Sequence, residues 1–291
     1  MTNLRGKVAE RPVALVTGAS SGFGWAIAEL LTERRYVVFG TSRSEAASGP
    51  AGVKMLPLDV RSEKSVEACI ASVTNETQRL DILINNAGVG LGGAVEETSL
   101  QEAQDHFETN FFGAVRMTQA VLPGLRQQKS GRIVFIGSLA GLMALPAMGF
   151  YSAGKFALEG LAEALRYEVK NFGIHVSIIE PGTFHTNLMN AMRRASNPLD
   201  IYSDMRSAAL QVMEQSVREG PEAVLVARTV LKILETSSPR LRYRVGQDAT
   251  WLPRLKAALP GRAFEAAIRR HFKLDQENPM PRAPAARKAP F

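Results

Sequence analysis

The 291 residues include a single cysteine, Cys69, so the chain can form neither an intrachain disulfide nor a site built from several thiolates. Flanked by Val66, Ala68 and Ile70, Cys69 reads as a small buried hydrophobe on a helix. Long apolar runs are also missing. Val13 to Val16 and Ile82 to Ile84 stop far short of the ~20 residues that cross a bilayer, so no transmembrane helix is expected. Met1 to Lys7 carry no apolar stretch leading to a small-residue cleavage site, and the expected location is the cytoplasm. His106, His175 and His185 lack metal-ligand spacing, and no metal is assigned. Nor does excess charge run through the body of the protein. The net charge is +7, and after Leu252 nine lysines and arginines stand against three acidic residues. That distribution argues against a surface built for nucleic acid. The basic stretch from Arg254 to Lys273 reads as solvated helix faces, with contact to an anionic membrane surface as the lesser reading.

What is present is an ordinary folded composition, 45% hydrophobic and 22% charged. Apolar, β-branched runs alternate with segments of helical period. The strands are Val13–Thr17, Val37–Thr41, Val53–Leu58, Ile82–Asn85, Arg132–Gly137 and His175–Glu180, with Leu241–Val245 as a seventh. Helices fall near 25–34, 63–76, 103–128 and 153–171. The alternation predicts an α/β protein with a doubly wound parallel sheet of about seven strands and helices on both faces. Gly173 and the Ser130-Gly131 pair stand where a left-handed residue ends a helix. One domain is expected over 1–274. The strand rhythm stops over 186–220, where methionines stand among polar residues, and this stretch reads either as a helical lid or as surface helices covering a core edge. From 275 to 291 the chain is proline-rich and basic and is expected to be a disordered tail.

Thr17-Gly18-Ala19-Ser20-Ser21-Gly22-Phe23-Gly24 joins the first strand to the first helix. Glycines there let the chain turn sharply and bring its backbone close to a pyrophosphate at a helix N-terminus. Thr17, Gly18, Ser20, Ser21, Gly22, Phe23 and Gly24 are therefore candidate cofactor contacts in a Rossmann-type fold. The spacing is G-x-x-x-G-x-G, which departs from the G-x-G-x-x-G fingerprint. Where an acidic residue would bind the adenosine ribose, this chain has Ser42, Arg43 and Ser44. An arginine fork and two hydroxyls suit a 2′-phosphate, so NADP(H) is preferred over NAD(H), unless Arg43 is only an exposed loop residue. Asp59 and Val60 are placed for the adenine ring, while Asn86, Ala87 and Gly88 are placed to line the trough.

Tyr151 and Lys155 are four residues apart at a helix start, on one face. A nearby ammonium is expected to lower the tyrosine pKa and let the phenol exchange a proton with an alcohol near neutrality. Ser138 ends the fifth strand, at the sheet edge where such folds bind ligands, and its hydroxyl can hold a substrate oxygen. The duller reading makes Tyr151 an anchor with a satisfied hydroxyl.

These motifs, together with Asn85-Asn86-Ala87-Gly88, Asn110 and Pro181-Gly182-x3-Thr186 in the same order, resemble the short-chain dehydrogenase/reductase family from about Arg11 to Val245. The stretches Ser138–Lys155 and Glu180–Phe184 resemble its 17β-hydroxysteroid and retinol dehydrogenase branch. The resemblance implies that Tyr151 is the general acid/base and that Lys155 binds the nicotinamide ribose. It implies that Ser138 polarises the carbonyl and that Asn110, within the long helix, holds a relay water. It also implies that Pro181, Gly182, Thr183 and Thr186 border the nicotinamide, and that the chain forms a homodimer or homotetramer through the helices carrying Asn110 and Tyr151. On its residue type alone, Asn110 is equally a helix kink or a buried hydrogen-bond partner.

No charged residue lies between Ser138 and Tyr151. Leu139, Leu145, Met148 and, beyond the strand, Met189 are the candidate substrate wall, unless they only pack beneath the lid. The expected reaction interconverts a hydrophobic ketone or aldehyde and its alcohol. The rivals are a 3-oxoacyl thioester reductase and a non-catalytic NADP(H)-sensing protein.

Overall fold

A strand covered on both faces needs apolar side chains along its length. β1 (Val13–Val16) is apolar and buried throughout, and β4 (Ile82–Asn85) is buried throughout and apolar up to Asn85, whose Nδ2 donates to Thr118 Oγ1 (3.0 Å). The structure, a computed structural model, describes residues 11–44 and 46–275. Apart from Asp275, the expected tail lies outside the described residues, as does the N-terminal stretch read above.

After β1 come α1 (Gly22–Glu33), β2 (Val37–Ser42), β3 (Lys54–Pro57), α2 (Glu63–Thr77) and β4. Then follow β5 (Leu91–Gly92), α3 (Leu100–Phe107), α4 (Gly113–Gln128), β6 (Gly131–Ile136), α5 (Gly149–Val169) and β7 (Ile174–Pro181). The chain closes with α6 (Leu188–Ala191), β8 (Arg193–Arg194), α7 (Ser203–Glu219), α8 (Val224–Glu235), β9 (Arg242–Val245), α9 (Gln247–Ala258) and α10 (Gly261–His271). Among the described residues the main sheet has seven parallel strands in the order β3-β2-β1-β4-β6-β7-β9. This is the doubly wound architecture expected from the strand and helix alternation. Strand order reverses between β1 and β4, which pair Ala14 with Ile82 and Val16 with Ile84. Such a reversal opens a crevice at the carboxyl ends of the strands.

Successive side chains leave a strand on opposite faces, so each strand feeds two cores. Val13 and Leu15 join Leu83, Ile133 and Phe135 beneath α2, α4 and α5. Ala14 and Val16 join Ile82, Ile84 and Val134 beneath α1 and α8. Cys69 sits in the first core, where burial pushes its thiol up to about 11, so it packs as the small hydrophobe expected.

Three local features depart from the expectation. The helix foreseen over 103–128 is broken by a π-turn, Glu108–Phe112, between α3 and α4. The left-handed residue after α4 is Lys129 (φ 53°), and Gly131 instead begins β6. Gly173 (φ 70°) does take the left-handed conformation. The 186–220 stretch is not wholly helical: β8 pairs with β5 in a two-residue parallel ladder, Leu91 with Arg193 and Gly92 with Arg194. The basic residues Arg254, Lys256, Arg262, Arg269, Arg270 and Lys273 stand exposed, as the solvated faces expected of this stretch require, while Phe264 and Ile268 pack, with Leu252, against Leu139, Met143 and Ala249.

Candidate active site

The glycine turn is held by the strand ends around it. The Thr17 hydroxyl donates to Ile84 O (3.2 Å) and accepts from the Asn86 and Ala87 N–H groups, both at 2.9 Å. Asn86 Nδ2 donates to Thr17 O (2.8 Å) and Gly18 O (3.1 Å). Thr17 and Asn86 thereby bind the two strands flanking the crevice into one frame. A Cβ on Gly24 would lie 2.2 Å from Gly18 O, so glycine is obligatory there for packing. Gly18 (φ 67°) and Gly22 (φ 55°) supply the turn.

Above this frame lies a cleft of about 380 Å³, lined by Gly18, Ser20, Ser21, Gly22 and Phe23 on one side and by Asn86, Ala87 and Gly88 on the other. α1 starts at Gly22 without a side-chain cap from Ser21 and with no acidic residue in its first turn. An uncapped helix start presents N–H donors and partial positive charge, which favour phosphate. At one end of the cleft stand Ser42, Arg43, Asp59 and Val60. The Asp59 carboxylate is committed to Arg61, accepting from its N–H (3.0 Å), Nε (3.0 and 3.2 Å) and a terminal guanidinium nitrogen (2.7 Å). Those bonds hold its pKa below the usual carboxylate value. Arg43 makes no side-chain hydrogen bond that would occupy its fork among the described residues, while Ser44 N–H donates to Ser42 Oγ (3.3 Å).

At the other end Tyr151 and Lys155 line the cleft from α5. The Tyr151 phenol is hydrogen-bonded to Ser138, whose Oγ also accepts from Ala140 N–H (3.1 Å). Lys155 Nζ donates to Ile136 O (2.8 Å) and lies 5.8 Å from the Tyr151 ring centroid. The expected lowering of the tyrosine pKa by Lys155 is not what this geometry gives. Burial raises the Tyr151 pKa above its ordinary value, and only the Ser138 bond works the other way. The ammonium is tied to the strand end and is itself pushed down to about 8 by burial, with Glu159 opposing. One turn along α5, Glu159 accepts from Arg242 Nε (2.9 Å), and burial with the Glu180 charge raises it to about 7.

Asn110 lies in the π-turn rather than in a continuous helix, and its amide is fully engaged. Oδ1 accepts from Val89 N–H (2.8 Å) and Nδ2 donates to Val89 O (2.8 Å). Nδ2 is also 3.1 Å from His106 Nε2. The His106 ring is 2% exposed and stands 5.9 Å from that of Tyr151. Burial, then the Lys155 and Arg193 charges, lowers its pKa to about 4. Because the unfolded histidine titrates near 6.5, the fold has its full His106 stability above that pH and loses it as pH falls toward 4. Glu159, raised rather than lowered, has the opposite slope between about 4.5 and 7, so the His106 contribution is best seen as a difference. Denaturant unfolding of the wild type and His106→Gln at pH 7 and pH 5 is expected to show the wild type losing about 2 kcal/mol relative to the variant. A pH-independent difference would contradict a buried neutral ring.

Some expected contacts lie elsewhere. Thr186 lines the cleft, but Pro181, Gly182 and Thr183 do not. The Asp248 carboxylate draws that loop away, accepting from Thr183 N–H at 2.6 Å and filling the space where a Gly182 Cβ would stand. Thr17, Gly24 and Ser44 do not line the cleft: Thr17 and Gly24 are buried beneath the turn, and Ser44 is exposed beside Arg43. Met148 and Tyr151 pack with Met192, Leu210, Met213 and Phe272, with Leu145 and Met189 at the edge of the cluster, while Leu139 belongs to the α9 and α10 contact. His106, Arg193 and Phe272 escaped the sequence reading. Only His106 left a signal, standing one helical turn before Asn110.

Residues 12–197 match the family model described as short chain dehydrogenase. The chain is 38% identical over 251 residues to a 3-ketodihydrosphingosine reductase of Bacteroides thetaiotaomicron, covering 83% of this chain and 93% of that one. It is 35% identical to retinol dehydrogenase 8 of Bos taurus, over 84% of this chain and 85% of the relative. A crystal structure of a short-chain dehydrogenase from Streptomyces avermitilis superposes with a TM-score of 0.79 at 35% identity, covering 91% of this chain and 98% of that one. With the sheet, the glycine turn and the Ser138, Tyr151 and Lys155 cluster in place, these matches establish that the chain belongs to the short chain dehydrogenase family.

Proposed function

We propose that this protein is an NADP(H)-dependent oxidoreductase that interconverts an apolar ketone or aldehyde and its alcohol, and that its site is poised for reduction. The carrying observation is the Tyr151 phenol, bonded to Ser138 and raised in pKa by burial, lining the opposite end of the cleft from the glycine turn and Arg43. A phenol kept protonated at neutral pH is a donor, which suits the proton a carbonyl oxygen needs on becoming an alcohol. The residues of the cleft fit a dinucleotide: the Gly24 packing lets the turn close, the α1 start offers N–H donors, and Arg43, with no side-chain hydrogen bond among the described residues, offers a cation for a 2′-phosphate. When bound, the nicotinamide supplies a hydride. Ser138 orients the substrate oxygen, Tyr151 gives it the proton, and Lys155, whose Nζ is held at the end of β6 by Ile136 O, would bind the nicotinamide ribose.

The apolar cluster of Met148, Met192, Met213 and Phe272 around Tyr151 supports an apolar substrate, with 186–220 as its lid. Among the described residues no helix is long and apolar enough to cross a membrane. Self-association is assigned to the α4 and α5 side, where Phe112 and Phe156 remain 43% and 42% exposed. The deciding experiment follows NADPH oxidation with a panel of apolar ketones alongside a 3-oxoacyl thioester. Turnover of carrier-free ketones is expected. Turnover of the thioester alone would replace this reading with a thioester reductase, and dinucleotide binding without any turnover would replace it with a cofactor-sensing protein.

A further inference from the structure

We propose that His106 is a positioning residue of the reaction site: it locks the Asn110 amide, and through it the Val89 backbone flooring the cleft, in register with the Tyr151 phenol. The inference rests on the reading of Tyr151 as the proton donor.

A carboxamide has two N–H donors and one carbonyl acceptor. In Asn110 the carbonyl takes the Val89 N–H and one amino hydrogen goes to Val89 O. The remaining hydrogen has His106 Nε2 at 3.1 Å. Nε2 must then accept, which puts the ring proton on Nδ1. Nδ1 is buried and has no hydrogen-bond partner among the described residues. An apolar side chain of similar volume would fill the space between α3 and α5 without leaving that N–H unmatched, so packing alone does not account for a histidine here. What the imidazole adds is an acceptor at the one point where the Asn110 amide lacks one.

The placement makes the acceptor matter to the chemistry. Asn110 sits in the π-turn between α3 and α4, where the Gly113 N–H donates to Glu108 O, and such single-turn bulges within helices are frequent at functional sites. Val89, the backbone it grips, lines the cleft next to Gly88 and Gly90. The His106 ring meets Tyr151 across 5.9 Å, and Gly154 on the same helix passes beneath it. One side chain thus touches both the phenol bearer on α5 and the amide that sets the cleft floor. Burial keeps the ring neutral, and the charged groups around it, Lys155 on α5 and Arg193 on β8, are both cationic and act the same way, so the acceptor persists through the neutral pH range.

Three full-length variants separate this role from packing. In His106→Gln the amide oxygen reaches the place of Nε2, in His106→Asn it reaches only that of Nδ1, and in His106→Leu there is no acceptor. Steady-state kcat, KM for NADPH and for a ketone substrate, the pH profile of kcat and Tm are measured for each. Leu and Asn are expected to lower kcat by about tenfold or more, with KM for NADPH changed less. Gln is expected to stay within about threefold of the wild type. Equal activity in all three variants overturns the proposal, as does a uniform loss, Gln included, that follows Tm. If His106→Leu does not fold, the contrast between Gln and Asn decides. Tyr151→Phe in the same assay tests the underlying reading. Full activity there removes the proton-donor role, whereas an inactive Tyr151→Phe beside a fully active His106→Leu removes only the role of His106.

Discussion

Tyr151→Phe is expected to lower kcat for ketone reduction by about 10²–10⁴-fold while leaving the fold intact. The ring packs in the cluster with Met148, Met192 and Met213, and phenylalanine keeps every one of those contacts. What disappears is the hydroxyl that bonds to Ser138 and faces the cleft. Among the described residues the two titratable neighbours are committed elsewhere: Lys155 Nζ donates to Ile136 O, and the His106 ring faces Asn110 with its Nε2. Stopped-flow or steady-state NADPH oxidation gives kcat, and isothermal titration gives dinucleotide affinity, expected to change by less than tenfold. A variant that turns over ketone at the wild-type rate would end the proposed mechanism.

The second large effect is a change of coenzyme. Arg43→Asp is expected to shift the ratio of kcat/KM for NADPH to that for NADH by about 10²–10³-fold toward NADH. Loss of a charge-assisted contact accounts for about 1.5–3 kcal/mol, and a carboxylate facing a 2′-phosphate adds repulsion. The neighbouring acid does not confuse the comparison, because Asp59 is already held by Arg61 through its main chain and guanidinium. Serines 42 and 44 remain in the variant, so the measurement isolates the charge. An unchanged ratio would mean that Arg43 is an exposed loop arginine and that coenzyme choice lies elsewhere in the cleft.

The parts of this molecule that were legible in the sequence are those set by neighbours along the chain. Uninterrupted apolar runs such as Val13–Val16 can only be strands covered twice, and Tyr151 and Lys155 share a face because four residues make about one helical turn. What stayed hidden depends on partners far away in the chain. The π-turn at Asn110 is set by Val89, 21 residues earlier. The retreat of Gly182 and Thr183 from the cleft is set by Asp248, 65 residues beyond Thr183. The β5 and β8 ladder has two residues per strand, too few for any periodicity to show. The raised Tyr151 pKa was illegible for another reason. Spacing reports that a lysine is near, but not that its ammonium is turned to Ile136 O or that burial raises the phenol.

The placement of α9 and α10 has an evolutionary consequence. The side chains that line the cleft come from the first two thirds of the polypeptide, whereas Leu252, Phe264, Ile268 and Phe272, from its final quarter, reach back over the apolar 139–148 segment that leads into α5. Selection can therefore rewrite those last helices, swapping bulk and shape against an unchanged reaction centre, and retarget the catalyst to new molecules without relearning its chemistry.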